Sequence, residues 1–200
     1  LDCNKVGTLL LSLRKEKGMT QKQVADQLNI SDKAISKWER GLGCPDISLL
    51  SELSNIFEVN IEQILSGDLK PNSIEIGNLK RIKFYVCPIC NNVMNCTGNV
   101  DISCCGRKLA PLAAKTPDPM HIATIENSEG EYYISFNHEM SKTHYISFVA
   151  YVTSERVLIA KLYPEQMASL HLPILNGGKL MQKHSGILYY YCNKHGLWTL

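Results

Sequence analysis

Apolar residues recur at three- and four-residue spacing in the first third of the chain and in alternating or continuous runs in its last half. The first spacing belongs to helices buried along one stripe and the second to pleated strands. A first helix is predicted from about Val6 through Leu9, Leu10 and Leu13, ending at Gly18, since glycine readily takes the left-handed conformation of a helix C-terminus. Thr20 and Gln23 form a capping-box pair that opens a second helix, with Val24, Ala25 and Leu28 on its buried face. Asn29 makes the turn, Ser31 caps a third helix with Ile35 and Trp38 inward, and Gly41 ends it. Asp46 and Asn60 are expected to cap two more helices, carrying Leu49, Leu50, Leu53 and Ile56 and then Ile61, Ile64 and Leu65. Residues 132–136, 144–151 and 187–191 read as strands, being rich in aromatic and β-branched side chains. Between the two regimes, Pro71, Asn72, Ser73 and Gly77 mark a linker.

Composition narrows the picture only modestly. With 200 residues, 44% of them hydrophobic, the chain can build packed cores, and a formal charge of +2 excludes a wholly cationic nucleic-acid coat. Charge placement says more. Residues 14–40 carry Arg14, Lys15, Lys17, Lys22, Lys33, Lys37 and Arg40 against four acidic residues, whereas residues 41–68 carry five acidic residues and no basic one. One side of the helical segment is therefore expected to be cationic, as phosphate contact requires. No run of 18 apolar residues occurs, and Leu1 to Lys5 lack a charged head followed by an apolar core. A soluble cytoplasmic protein without membrane contact is the expectation.

Two short helices joined by a tight turn, with small Ala25 inside the first and aliphatic Ile35 inside the second, describe a helix-turn-helix. Residues 4–67, above all Thr20-Gln21-Lys22-Gln23-Val24-Ala25 and Ile35-Ser36-Lys37-Trp38-Glu39-Arg40-Gly41, resemble the phage-repressor (XRE) family. Asn29 stands where that family more often has glycine. The resemblance implies that Asp32, Lys33, Ser36 and Lys37 face the major groove while Gln21 and Lys22 touch phosphate. One small helix-turn-helix buries too little surface for strong specificity, so a double-stranded, two-fold operator read by a homodimer is expected.

Eight cysteines suggest disulfides in a short secreted chain, but clustered thiols in a reducing compartment read as metal ligands. Cys87-Pro88-Ile89-Cys90 and Cys104-Cys105-Gly106 offer four thiols at one small site, a set that accepts zinc or iron. Adjacent cysteines are unusual in zinc ribbons, and the arrangement resembles the desulforedoxin knuckle. A purely structural zinc staple is the competing reading, and Cys96, between the pairs, is either a free thiol or a substitute ligand.

His121, His138, His144 and the Cys192-Asn193-Lys194-His195-Gly196 segment fall at turns beside the expected strands, where side chains can reach a common metal. Residues 83–200 resemble desulfoferrodoxin, the two-centre class of superoxide reductase. The segments that carry the resemblance are the four cysteines, 138–146, and the ending Tyr191-Cys192-Asn193-Lys194-His195-Gly196-Leu197-Trp198. It implies a mononuclear iron held by His121, His138, His144 and His195 with Cys192 as axial thiolate, on an immunoglobulin-like β-sandwich. His171 and His184 match no ligand position and are expected at the surface. The family's Glu-Lys pair before the first histidine is replaced by Pro119-Met120, and Glu139 stands where proline usually follows the second.

The chain is therefore read as a multidomain α + β protein: a five-helix DNA-binding domain (1–68), a linker (69–82), a desulforedoxin-like four-cysteine metal knuckle (83–112) and a β-sandwich (113–200). The expected function is transcriptional regulation in response to superoxide, redox state or iron. The alternative is a superoxide reductase tethered to a DNA-binding module, drawing electrons from a donor such as rubredoxin. A weaker third reading makes both metals supports for a dimerisation surface.

Overall fold

Asp2 starts the first helix. Its carboxylate accepts from the N–H groups of Asn4 and Lys5 at 3.0 and 3.2 Å, satisfying donors that a helix start leaves free. Helix α1 (Cys3–Glu16) thus begins at Cys3 rather than near Val6. The computed structural model describes residues 1–175 and 186–200; His184 lies outside them. Two compact units divide the chain, Leu1–Pro71 and Asn72–Leu200.

In the first unit, α2 (Gln21–Gln27) opens on a complete capping box between Thr20 and Gln23, and α3 (Asp32–Glu39) on Ser31. Asn29 turns the chain between them at φ 53°. Asp46 caps a 3₁₀ turn, Ile47–Leu49, which runs into α4 (Leu50–Phe57). Before α5 (Ile61–Ser66), Asn60 makes no side-chain cap; its carbonyl accepts from Gln63 and Ile64 instead. Ile61 and Leu65 remain 39% and 38% exposed, and Phe57 fills the core that they were expected to share with Ile64. Gly7 decides how closely α1 and α3 pack, because a Cβ there would fall 2.0 Å from the Trp38 carbonyl oxygen.

Two interactions in this unit have no local signature in the sequence. Arg14 grips the buried Glu39 carboxylate through Nε and Nη2 at 2.5 and 2.9 Å, and Gln21 Nε2 donates to the same group at 2.7 Å. Arg14 is therefore an internal cation and not part of the outward basic side. Cys3 and Cys44 form a disulfide with their Cα atoms 5.0 Å apart, so these two thiols do not belong with the metal ligands.

The second unit is built of short antiparallel pairs and two larger sheets. Strand β1 (Lys83–Val86) pairs with β2 (Val93–Cys96), and β3 (Ile102–Cys104) with β4 (Arg107–Leu109). A five-stranded sheet takes β5 (Ala114–Lys115), β12 (Gly196–Thr199), β11 (Ile187–Cys192), β8 (Ile146–Val152) and β9 (Val157–Lys161) in that order. A three-stranded sheet orders β10 (Ser169–Pro173), β7 (Glu131–Phe136) and β6 (Ala123–Ser128).

Strand β8 is buried along its whole length because it serves two cores. Val149 and Tyr151 point into the core shared with Ile134 and Phe136 of the three-stranded sheet. Phe148, Ala150 and Val152 point to the opposite face, where the Phe84 ring of β1 packs tilted against Phe148 and Tyr189 with centroids 5.5 and 5.4 Å away. Ile146 joins the Val149 side out of step with strict alternation, since the pairing slips so that Tyr191 meets Phe148 and Cys192 meets Ile146. Ser147 is the extra residue of this bulge, and the bulge lies directly beside Cys192.

Candidate metal centres and DNA interface

Loop geometry brings five distant side-chain donors together. Cys192 ends β11, Gly196 opens β12 at φ 93°, and the tight turn between them returns His195 so that its Nδ1 lies 3.6 Å from Cys192 Sγ. His121 precedes β6, while His138 and His144 occupy the loop between β7 and β8. His121 Nε2 and His144 Nε2 lie 3.0 and 3.2 Å from His195 Nδ1. One donor atom from each of His121, His138, His144, Cys192 and His195 falls within 4.8 Å of all the others.

Outer partners fix the rings. The Asp118 carboxylate accepts from His121 Nδ1 at 2.6 Å, that of Glu139 from His144 Nδ1 at 3.0 Å, and the Glu139 carbonyl from His138 Nδ1. Three imidazoles are thereby held with Nε2 inward, as metal-ligating histidines require. Trp198 stacks on His121 with centroids 4.3 Å apart, and the Tyr190 hydroxyl donates to the His121 carbonyl. The residues fit a metal. Among the described residues, the buried His138 Nε2 has no hydrogen-bond partner, a cost that coordination would remove. Burial lowers the basicity of His138 and His195, and burial raises the Cys192 thiol against the pull of the Lys194 and His195 N–H groups. A cavity of about 340 Å³, lined by Met120, His121, Asn137, His138, Glu139 and His144, opens on this cluster.

Asp118 escaped the sequence reading, although an acidic residue shortly before His121 is a signal for such a partner. Glu139 orients His144. Lys115 Nζ donates to the His195 carbonyl at 2.8 Å and sits over Trp198, while the exposed Lys142 faces Glu165 at 3.8 Å. His171 is exposed beside Glu131 and Tyr133.

The second cluster gathers Cys87, Cys90, Cys104 and Cys105, with Cys90 Sγ and Cys104 Sγ 3.6 Å apart. Adjacent cysteines reach one point because Cys104 closes β3 and Cys105 begins the turn to β4. Positive φ at both Cys105 and Gly106 (51° and 73°) makes this a two-residue primed hairpin. Backbone N–H groups of Cys90 and Ile89 bring the Cys87 thiol down to about 6, whereas hydrogen bonding with Cys90 and Cys87 pushes Cys105 up to about 12. Four thiolates at one point thus require a cation. Cys96 is not in this group; its thiol donates to the Gly98 carbonyl at 3.1 Å.

In the first unit, Asp32, Lys33 and Lys37 are exposed on α3, Ser36 is half-buried, and Lys22 is exposed on α2. Gln21 is half-buried, with its amide committed to Glu39.

Residues 10–64 match the family described as Helix-turn-helix (HTH_3), so the first unit contains a helix-turn-helix domain of that type. The HTH-type transcriptional activator BcrR of Enterococcus faecalis is 42% identical over 80 residues, 38% of this chain and 39% of that protein. ImmR, an HTH-type transcriptional regulator of Bacillus subtilis, is 36% identical over 75 residues, 36% of this chain and 59% of that protein. The chain thus spans about four to six tenths of these two relatives. Desulfoferrodoxin of Clostridium acetobutylicum is 28% identical over 104 residues, covering 49% of this chain and 77% of that protein. The superoxide reductase of Treponema pallidum superposes with a TM-score of 0.50 at 18% identity, over 60% of this chain and 97% of that one, a likeness of fold. The chain joins a helix-turn-helix domain to a region homologous to desulfoferrodoxin.

Proposed function

We propose that this protein is a DNA-binding transcriptional regulator whose desulfoferrodoxin-like unit senses superoxide or redox state through iron. The observation that carries the reading is the convergence of four imidazoles and the Cys192 thiol, with the orphaned His138 Nε2 among them, on a chain that also holds a helix-turn-helix. Iron held by His121, His138, His144, His195 and Cys192 would supply one-electron reduction of superoxide. The protein's own residues orient the imidazoles through Asp118 and Glu139 and leave a cavity for a small anion. Cys87, Cys90, Cys104 and Cys105 hold iron or zinc, and the two facing sheets take the immunoglobulin-like arrangement. On this reading residues 1–68 bind DNA, 69–82 link, 83–112 carry the knuckle and 113–200 carry the histidine site.

Asp32, Lys33, Ser36 and Lys37 enter the major groove of a two-fold operator as a homodimer contacts it, with Lys22 and Gln21 near phosphate. Lys37→Ala weakens specific binding by about 1 to 3 kcal/mol if it reads a base edge, and equal losses on specific and random DNA would show phosphate contact only.

The test is metal analysis and an optical spectrum of anaerobically purified protein, followed by DNA affinity of its oxidised and reduced forms. Cys192→Ser should abolish the thiolate-to-iron band while leaving the four-cysteine site loaded. Loss of both metals together sinks the two-site assignment. The open cavity beside the histidines supports a second reading, superoxide reductase activity; sustained superoxide consumption with an electron donor such as rubredoxin, without any redox effect on DNA affinity, would favour it.

A further inference from the structure

The Cys3–Cys44 disulfide ties together two parts of the DNA-binding unit that matter for Lys37. Cys3 is the first residue of α1, and Cys44 ends the loop that follows α3. That loop is closely seated at both ends. At Gly41, where φ is 71°, a Cβ would fall 2.0 Å from Asn4 Oδ1 and 3.0 Å from Asn4 Cα, so the backbone lies directly on the residue after Cys3. The Leu42 N–H donates to the Lys37 carbonyl at 3.0 Å. At Gly43, a Cβ would meet Lys37 Cε at 3.2 Å and Lys37 Nζ at 3.7 Å, so the lysine side chain rests on the residue next to Cys44. Both cysteines are only half-buried and open to small reagents.

The sulfur pair is half-exposed, and the unit also has its own hydrophobic core, so the disulfide is not its sole source of stability. Such pairs in reducing compartments cycle between dithiol and disulfide. We infer that Cys3 and Cys44 are a modification site, a dithiol oxidised by a hydroperoxide, whose disulfide fixes the loop beneath Lys37 and strengthens operator binding. The inference rests on the DNA-binding reading given above and not on the metal sites.

The chemistry balances with the peroxide as the named oxidant. One thiolate attacks a peroxide oxygen, the O–O bond breaks, and a sulfenic acid and an alkoxide or hydroxide form, the latter taking up the thiol's proton. The second thiol attacks the sulfenic sulfur, the S–S bond forms and water leaves. Two electrons pass from the sulfurs to the peroxide, and hydrogen peroxide ends as two waters. A dithiol reductant reverses the change by exchange. Hydrogen peroxide is also what superoxide becomes on one-electron reduction with two protons, so one stimulus can address both units of the chain. The gain in affinity follows from pre-organisation: a loop held in place spends less freedom on binding.

The experiment uses the full metal-loaded chain and a duplex selected from a random-sequence library with the disulfide form. Reduced protein is treated with one equivalent of hydrogen peroxide under anaerobic conditions. Alkylation and peptide mass then report Cys3 and Cys44, and fluorescence anisotropy reports affinity. The expected result is protection of both cysteines and at least a threefold tighter complex, reversed by dithiothreitol. Cys3→Ser/Cys44→Ser should bind like the reduced chain and lose that increment; any response it keeps belongs to the metals. Cysteines that stay alkylatable, equal or weaker binding after oxidation, or an undiminished response in the double variant each overturn the inference. Protection of Cys3 and Cys44 without a gain in affinity overturns this inference and leaves the metal-sensing reading standing, so the two failures are distinguishable.

Discussion

Glu39 is a buried carboxylate, and its environment sets two opposing tendencies. Burial pushes its carboxyl up, but hydrogen bonds from Arg14 and Gln21 outweigh this and hold it below the ordinary range. Removing one partner of such a pair leaves a charge without compensation. Arg14→Met should therefore cost about 3 kcal/mol, with partial recovery in Arg14→Met/Glu39→Gln, both read by urea unfolding. The sign with pH follows from the lowered carboxyl: its stabilisation is complete above the unfolded value of about 4.3 and disappears as pH falls through the folded one. The gap between the parent and the doubly substituted protein should accordingly shrink below about pH 4. Met120, 67% exposed at the cavity that opens on the histidines, poses the complementary question of an absent charge. With Lys115 donating to the His195 carbonyl, Met120→Lys should speed reaction with superoxide by about tenfold or more and make the rate salt-dependent, as stopped-flow mixing would show. An unchanged rate would mean that the anion needs no ammonium there. At this scale the sequence was informative about ligand types and poor about their partners. Cysteine and histidine spacings point to metal without a fold, whereas the pairing of Asp118 with His121, Glu139 with His144 and Arg14 with Glu39 arises only when loops and helices close on one another.

Helices with clear punctuation were legible because capping is local: Thr20, Gln23, Ser31 and Asn29 act within a few residues of themselves. Asn60 holds the expected cap position before α5 although its side chain makes no cap bond, whereas α1 starts earlier than its apolar stripe suggests because Asp2, outside that stripe, caps it. Inter-element contacts were less visible still, and Gly7 illustrates why. Nothing in its neighbourhood along the chain shows that α3 presses on it, yet a methyl group there would meet the Trp38 carbonyl at 2.0 Å. Gly7→Ala should cost about 2 kcal/mol by forcing α1 and α3 apart. Gly18 is the control: its φ is 63° and a Cβ would touch nothing within 4 Å, so Gly18→Ala should cost about 1 kcal/mol for backbone conformation alone. Equal losses at the two glycines would mean that α1 yields without strain. In the β-rich unit, alternation identified β7 and β11, but the shift at Ser147 that places Ile146 with Val149 depends on the partner strand. A bulge has no signature within its own strand.

The two units are closed in different ways. Leu1–Pro71 has a disulfide across a sequence separation of 41 residues, and Asn72–Leu200 gathers two groups of side chains that could hold a metal ion. A covalent closure of that length restricts the unfolded chain by about 4 kcal/mol in the chain-entropy estimate. Metal coordination acts differently, since ligands bind the ion only when the fold has assembled them, and its free energy adds to folding directly. Each unit also has its own hydrophobic core, built from helices in one and from facing sheets in the other. Thermal unfolding of the metal-loaded chain should thus show two transitions with separate sensitivities. Dithiothreitol under anaerobic conditions should lower the transition of the helical unit and leave the other in place; a strong chelator should do the reverse. Helical and β-sheet circular dichroism bands assign each transition to its unit. Cys3→Ser/Cys44→Ser should reproduce the effect of dithiothreitol and add nothing in its presence. If both transitions instead move together under either reagent, the two units share their stability, and redox chemistry at one would be felt as unfolding free energy in the other.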